Sequence, residues 1–336
     1  MEDGPGRLPL NMHPDALTLP PFQLGVYRLT LEARERLTLP TYKGGVLRGG
    51  FGYAFKQGVC VQPDRPHCTG CPLTASCVYA AVFEPAPPTD SAVLRKNAAI
   101  PTPFIIEPPP EARHNYAVGE LLDFHLVLVG QALGYLPHFL VAFRRLGELG
   151  LGERRGRFRL QQVVAIHPWQ DISETIYADE VLQSLPQLYV TEAEIATQAQ
   201  ALPEAQLSIH FLTPTRLQNA GQLVREGPPF AVLVKALLGR ISSLAYFHCG
   251  ARWETDFRAW IDRAETVQIE EAATGWDDWG RFSSRQQQHI NMGGLIGHNR
   301  YQGEALAAYR AILTLGTLLH VGKGTVFGNG KFTVTE

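Results

Sequence analysis

The chain has almost no lysine, little sulfur and no bulk charge. Only six of its 30 cationic residues are Lys, there are five Cys and three Met, and the formal net charge is −2 over 336 residues. A balance so close to neutral excludes a protein that grips nucleic acid by overall basicity, and five cysteines exclude a disulfide-dense secreted scaffold. No secretory leader is expected, since the first 21 residues hold Pro5, Pro9, Pro14, Pro20 and Pro21 and no h-region. The longest apolar run, Leu121 to Phe143, is interrupted by Asp123, His125, Gln131, Pro137 and His138. It is too polar for a lipid-facing helix and reads as a strand, a turn and a helix. A cytoplasmic protein with no membrane partner is expected. None of the eleven histidines has H-x-x-x-H or H-E-x-x-H spacing, and no G-x-S-x-G occurs, so a metal-dependent or serine hydrolase has no support.

What is present is a core and a segregated charge pattern. At 45% hydrophobic the chain can bury a large core, and its length favours two domains. Between Gln161 and Thr215 there are acids but no Lys or Arg; between Trp279 and Thr335 Glu304 is the only acid, against Arg281, Arg285, Arg300, Arg310, Lys323 and Lys331. Leu37 to Pro63 has no acid and carries Lys43, Arg48 and Lys56. Such patches let an anion-binding face sit on a near-neutral protein, and Arg supplies a planar fork for phosphates and a flat face for bases.

The periodicity shows one pattern twice. Phe22 to Leu31 reads as a strand and Gly44 to Gly58 as a helix. A Cys-bearing insert (60–84) and a Pro-rich connector (85–110) follow, the latter holding the apolar piece Phe104-Ile105-Ile106. A strand from Leu122 to Leu128, a helix from Leu136 to Phe143 and a strand from Phe158 to Ile166 complete a βαββαβ order. After an acidic connector (171–204) the order repeats from Leu207 to Val334. The chain is therefore predicted to be α+β, with tandem ferredoxin-like (RRM-like) domains: a tail (1–21), a first domain (22–170) with a Cys-rich metal-binding insert, and a second domain (205–336) ending in a glycine-rich loop.

Three local motifs carry candidate chemistry. The closing run from Gly322 to Lys331, G-K-G-T-V-F-G-N-G-K, matches neither a P-loop nor G-x-G-x-x-G. Its glycines can take φ > 0 and bring backbone N–H groups to an anion, or simply make a tight turn. If the loop binds RNA, valine at Gly324 or Gly328 should weaken binding without unfolding the chain. Cys60, Cys68, Cys71 and Cys77 have C-x7-C-x2-C-x5-C spacing, which fits four thiolates on structural zinc, with an iron–sulfur cluster as the alternative. All four would be spent as ligands, leaving no position for a catalytic metal. His298, in the basic segment near Arg285, Arg300 and Lys323, can serve as a base near neutral pH, whereas His125 and His210 read as structural residues on strand faces.

In order along the chain, LRGGFGYAF (Leu47 to Phe55), the C-x-x-C-P-L run with C-x-Y (Cys68 to Tyr79), IHFLTPTRL (Ile209 to Leu217), RFSSRQ (Arg281 to Gln286), GGLIG (Gly293 to Gly297) and LLHVGKGTVFGNGKF (Leu318 to Phe332) resemble the CRISPR-associated precursor-RNA processing endoribonucleases of the RAMP superfamily. The Cys run is similar to that of a zinc-finger-like subset. The resemblance implies a repeat-RNA endoribonuclease that cuts once per repeat without metal, by 2′-OH attack leaving a 2′,3′-cyclic phosphate and a 5′-OH. It implies repeat RNA as partner, with other CRISPR effector subunits as further partners and no small-molecule cofactor. Many members carry a catalytic His early in the first domain, and here none lies between His13 and His67. The catalytic candidates are His298, Lys43, Arg48 and Tyr42. The RNA-binding candidates are Arg281, Arg285, Arg300, Gly322, Lys323, Gly324, Gly328, Gly330 and Lys331, with Arg154 and Arg155 in the first domain's glycine turn. The alternatives are a catalytically inactive guide-RNA-binding subunit and an unrelated zinc or iron–sulfur protein.

Overall fold

The computed structural model describes residues 16–85, 100–283 and 288–336. The first domain is built on strands Gln23–Ala33 (β1), Phe104–Glu107 (β2), Leu121–Val129 (β3) and Phe158–Ile166 (β4), with helices Gly44–Val59 (α1), Val78–Phe83 (α2) and Leu136–Leu149 (α3) between them. The strands pair antiparallel in the order β2-β3-β1-β4, with α1 and α3 as crossovers, which is the ferredoxin-like arrangement. The apolar run from Leu121 divides into β3, a short 3-10 helix (Gly130–Tyr135) and α3.

The acidic stretch 171–204 is not the mere connector expected. Ser173–Ala178 (β5) and Val181–Leu182 extend the sheet beyond β4, Val190–Thr191 pairs with the start of β1, and Glu192–Ala199 (α4) follows, making a seven-stranded sheet. Sparse apolar residues explain this: Ile176, Tyr177, Val190 and Ile195 are buried while most of the acids face outward. A capping box between Thr191 and Glu194 starts α4, and Glu192 accepts the Phe22 backbone N–H at 2.9 Å.

The second domain repeats the order with Gln206–Thr215 (β6), Phe230–His248 (α5), Phe257–Ala264 (α6), Gln268–Asp277 (β7), Gly294–Gln302 (β8), Arg310–Leu319 (α7) and Phe332–Thr335 (β9), paired β7-β8-β6-β9. Gly280–Ser283 and Gln288–Asn291 form a separate hairpin between β7 and β8.

Two apolar clusters set the layers. In the first, α1 and α3 cover one face of the seven-stranded sheet, with Phe51 at the centre of an aromatic group: its ring lies 4.6 Å from Phe143 and 5.1 Å from Phe139, both stacked. The second joins α5, α7 and the inner face of the second sheet to Leu24, Val26, Ile105, Val127 and Val129 on the reverse face of the first. α5 and α7 are thus enclosed on both sides. This explains α5, a helix long and apolar enough to cross a membrane by length and composition but more than half buried inside the protein.

Phe51→Ala should remove the shared packing partner of α1 and α3 and lower unfolding free energy by about 3–5 kcal/mol, read from chemical denaturation of the full chain.

Candidate nucleic-acid interface

The reverse face of the first sheet changes character along its strands. The register sets Glu107 (β2) opposite His125 (β3) and His125 opposite Arg28 (β1), a polar row across three strands. One pleat away the same strands present Ile105, Val127 and Val26, all buried in the cluster shared with the second domain. The apolar row seals the domains together, and where it ends a cleft of about 2400 Å³ opens. Its walls are α1 (Arg48, Tyr53, Lys56), the segment Pro108–Glu111, Asp123 and His125 of β3, Phe211–Pro214, Trp279, and Phe327 and Lys331 of the closing turn.

Glu107 anchors this junction. It is 8% exposed and takes His320 Nε2 at 2.8 Å on one carboxylate oxygen and Lys331 Nζ at 2.6 Å on the other. Burial pushes the carboxyl up, but the hydrogen bonds and charges of His320 and Lys331 outweigh it and hold the group at about 2. The other nitrogen of His320, Nδ1, faces Asn329 O at 3.0 Å. Both ring nitrogens of His320 therefore face oxygen atoms, one in each domain. Glu107 belongs to the first domain and its partners to the second, so the cluster is an interdomain ionic lock.

The glycine-rich run forms part of this joint. Gly322, Gly324, Gly328 and Gly330 all have positive φ, and several backbone N–H groups in and beside the run have internal partners: Val321 on Gly330 O, Lys323 on Arg216 O, Phe327 on Gly324 O, Gly328 on Thr325 O, Gly330 on Pro214 O and Lys331 on Thr213 Oγ1. A Cβ on Gly328 would collide with Pro108 Cδ and Ile106 O across the domain boundary. Valine there would disturb docking, contrary to the expectation of a binding defect without a folding one. Lys323 remains exposed, and Lys331 reaches the cleft.

The other candidates divide by location. Tyr42 lines the cleft, donates its hydroxyl to Phe327 O at 2.9 Å and packs against Trp279 at 4.4 Å; burial first, then the charge of Glu107, pushes its phenol well above the ordinary range. Arg48 lies in the cleft over the rings of Phe83 and Phe327, at 5.1 and 5.5 Å. Lys43 does not reach the cleft surface: at the start of α1 it is fully buried, donating to Glu111 O at 2.8 Å, and burial pulls its ammonium down. His298 is also outside the cleft. Strand alternation puts it with Arg300 on the face of the second sheet away from the helices, stacked on His210 at 5.2 Å and 3.6 Å from Glu271. Arg154 and Arg155 are exposed on the turn after α3. Arg285 and the Arg281 side chain lie outside the described residues.

His125 was passed over in the sequence because a lone His on an apolar strand reads as structural. The signal that could have found it is the row it shares with Arg28 and Glu107, next to the apolar row of Val26, Ile105 and Val127. Among the described residues nothing hydrogen-bonds either ring nitrogen. Glu107 Oε2 lies 3.9 Å from Nδ1, and the side chain is 38% exposed.

Cys60, Cys68, Cys71 and Cys77 line one cavity of about 280 Å³ between the insert and α1, which His138 of α3 also lines. Cys71 N–H donates to Cys68 O at 2.9 Å, closing a knuckle turn, and Cys68 N–H donates to Glu84 at 2.9 Å. Burial, then the nearby Glu84, Cys77 and Cys60, pushes the Cys68 thiol up to about 11. Among the described residues no group of three or more His, Cys, Asp or Glu is arranged to hold a metal ion. Cys249 stands apart at the end of α5.

Residues 21–190 match the AF_1859_N family, described as an N-terminal domain, and residues 209–332 match the CRISPR-associated endoribonuclease Cas6 family. An uncharacterized protein of Archaeoglobus fulgidus is 23% identical over 300 residues, covering 88% of this chain and 92% of its own. A Cas6 product complex superposes with a TM-score of 0.57 at 16% identity over 93% of this chain and 100% of that one. Thermus thermophilus Cas6 does so with 0.53 at 14% identity, over 94% and 99%. At these identities the likeness is one of fold.

Glu107→Ala should leave the Lys331 ammonium without its carboxylate and His320 Nε2 without its partner, and cost about 3–5 kcal/mol, measured by denaturant unfolding at neutral pH. The sign with pH follows from the lowered carboxyl: its contribution is complete above the ordinary value of 4.5 and is lost as pH falls toward 2. The gap between wild type and Glu107→Ala should therefore shrink below pH 4.5.

Proposed function

We propose, for a chain that belongs to the AF_1859_N family and whose residues 209–332 match the CRISPR-associated endoribonuclease Cas6 family, that it binds the repeats of a CRISPR transcript in the interdomain cleft and cuts each once to release guide RNAs. The observation that carries this reading is the composition of the cleft. Arg48, Lys56, Arg65 and Lys331 on its lining offer charge for phosphates amid six carboxylates, and Tyr42, Tyr53 and Trp279 offer ring faces for unpaired bases. The reaction is a metal-independent transesterification in the cytoplasm, in which the 2′-oxygen beside the scissile phosphate attacks phosphorus. A cleft that holds the nucleotide in line supplies much of the rate, and cations supply charge stabilisation. Of the four catalytic candidates, the cleft position of Tyr42 and Arg48 supports contact with the RNA there.

A second reading has one observation in its favour. Lys43 is buried and His298 lies off the cleft, so half of the expected catalytic set is missing from it. This fits a subunit that holds processed RNA for an effector complex without cutting.

We also propose that the four insert thiolates take structural zinc, with an iron–sulfur cluster as the alternative. What supports this is that all four line one cavity, with the knuckle turn of the C-x2-C pair already formed. The metal would tie the insert to α1 and α2 and take no part in the cut.

Purified protein should cut its source genome's repeat RNA in EDTA, and a single 2′-deoxy at the scissile nucleotide should abolish the cut. Tight binding without a cut would favour the second reading. Elemental analysis of protein prepared without added metal should find about one zinc per chain, with Cys71→Ser losing it; a coloured preparation holding iron would replace zinc with the cluster.

A further inference from the structure

We propose that His125 is the base of the cut, a residue of β3 rather than of the first-domain segment before the insert. The inference rests on the nuclease reading above. Three observations assign it. His125 lines the cleft, and among the described residues neither ring nitrogen is hydrogen-bonded, so the imidazole has a lone pair to offer. Its row neighbour Glu107 is committed to His320 and Lys331, which brings the Lys331 ammonium to the same wall of the cleft. The adjoining row, Ile105, Val127 and Val26, is locked in the apolar cluster between the domains, so the backbone of β3 beneath His125 is held on both sides.

The chemistry balances without a cofactor. His125 takes the proton from the 2′-hydroxyl as the 2′-oxygen bonds to phosphorus. The bond from phosphorus to the 5′-oxygen breaks, that oxygen takes a proton from cleft water, and the imidazolium returns its proton to solvent. Lys331 faces the charge that develops on the phosphoryl oxygens. The charged groups around the imidazole are Glu107 of β2, Arg28 of β1, Asp123 of β3 and Lys331 before β9. Burial pulls the imidazole below its ordinary value, opposed by Glu107 and assisted by Lys331 and Arg28. The ring is therefore neutral, and able to accept a proton, at neutral pH.

The test is single-turnover cleavage of the labelled repeat RNA of the source genome in EDTA, across pH, by the full chain. Wild type should show an acid limb with its midpoint below 6.5. His125→Ala and the closer-shaped His125→Gln should retain the wild-type melting temperature and RNA affinity, cut about 100-fold more slowly or worse, and lose the acid limb. Added imidazole should restore part of the rate to His125→Ala, which a structural role would not allow. A folded His125→Ala cutting within a few-fold of wild type with the same pH profile would overturn the assignment while leaving the nuclease reading intact. Should both substitutions unfold the chain, a wild-type profile without the acid limb overturns it instead. A wild type that binds the repeat and never cuts would overturn the nuclease reading, and this assignment with it.

Discussion

One buried carboxylate organises the junction between the domains. Glu107 ends a four-residue edge strand of the first sheet, and its two oxygens are claimed by His320 and Lys331, at either end of the closing turn of the second. Because the group is out of water, neither partner can be dropped without leaving a charge exposed to a low-dielectric surround. The turn must therefore return to Glu107, and its glycines follow from that need. His320 has φ +59, an uncommon value for a non-glycine residue, and Gly328 passes too close to Pro108 and Ile106 for any side chain. The glycines let the turn fit against the first domain, with Tyr42 and Thr213 holding the carbonyls of Phe327 and Gly328.

The lock also explains where the cleft lies. A strand presents alternate residues to one face, so β1, β2 and β3 share a face whose rows change from apolar to polar in one step. Val26, Ile105 and Val127 pack in the cluster shared with the second domain, whereas Glu107 meets His320 and Lys331 and His125 lines the cleft. Hydrophobic burial decides how far the domains close, and the polar row marks where closure stops. Charge and aromatic rings then accumulate along the opening from segments far apart in the chain, Tyr42 and Trp279 among them.

The strands and helices were legible because each carries its own period. Leu122, Phe124, Leu126 and Leu128 alternate, and Phe230, Val234, Leu237, Ile241 and Leu244 step at helical spacing; both elements form where the spacing puts them. The acidic stretch 171–204 was less legible, since its buried residues are few and its strands short. The candidate site was legible only in part. Tyr42, Arg48 and Lys331 do meet in the cleft, but Lys43 turns inward onto Glu111 O, and His298 falls on the far side of a sheet whose register no local spacing reveals. His125 reads from the sequence as a structural residue on a strand face, and the identity of its neighbours across two other strands gives it its character.

By itself the sequence determined the α+β class, the doubled βαββαβ order, the placement of most elements and the clustering of four thiols, because each follows from local periodicity or short-range spacing. Only the tertiary structure decided that the glycine turn is a joint, that Glu107 binds across the domains, and that His125 and not His298 looks into the cleft. Those outcomes depend on strand register and on the docking of two sheets, which bring together residues more than 200 positions apart, such as Glu107 and Lys331. No local pattern along the chain encodes which of them will meet.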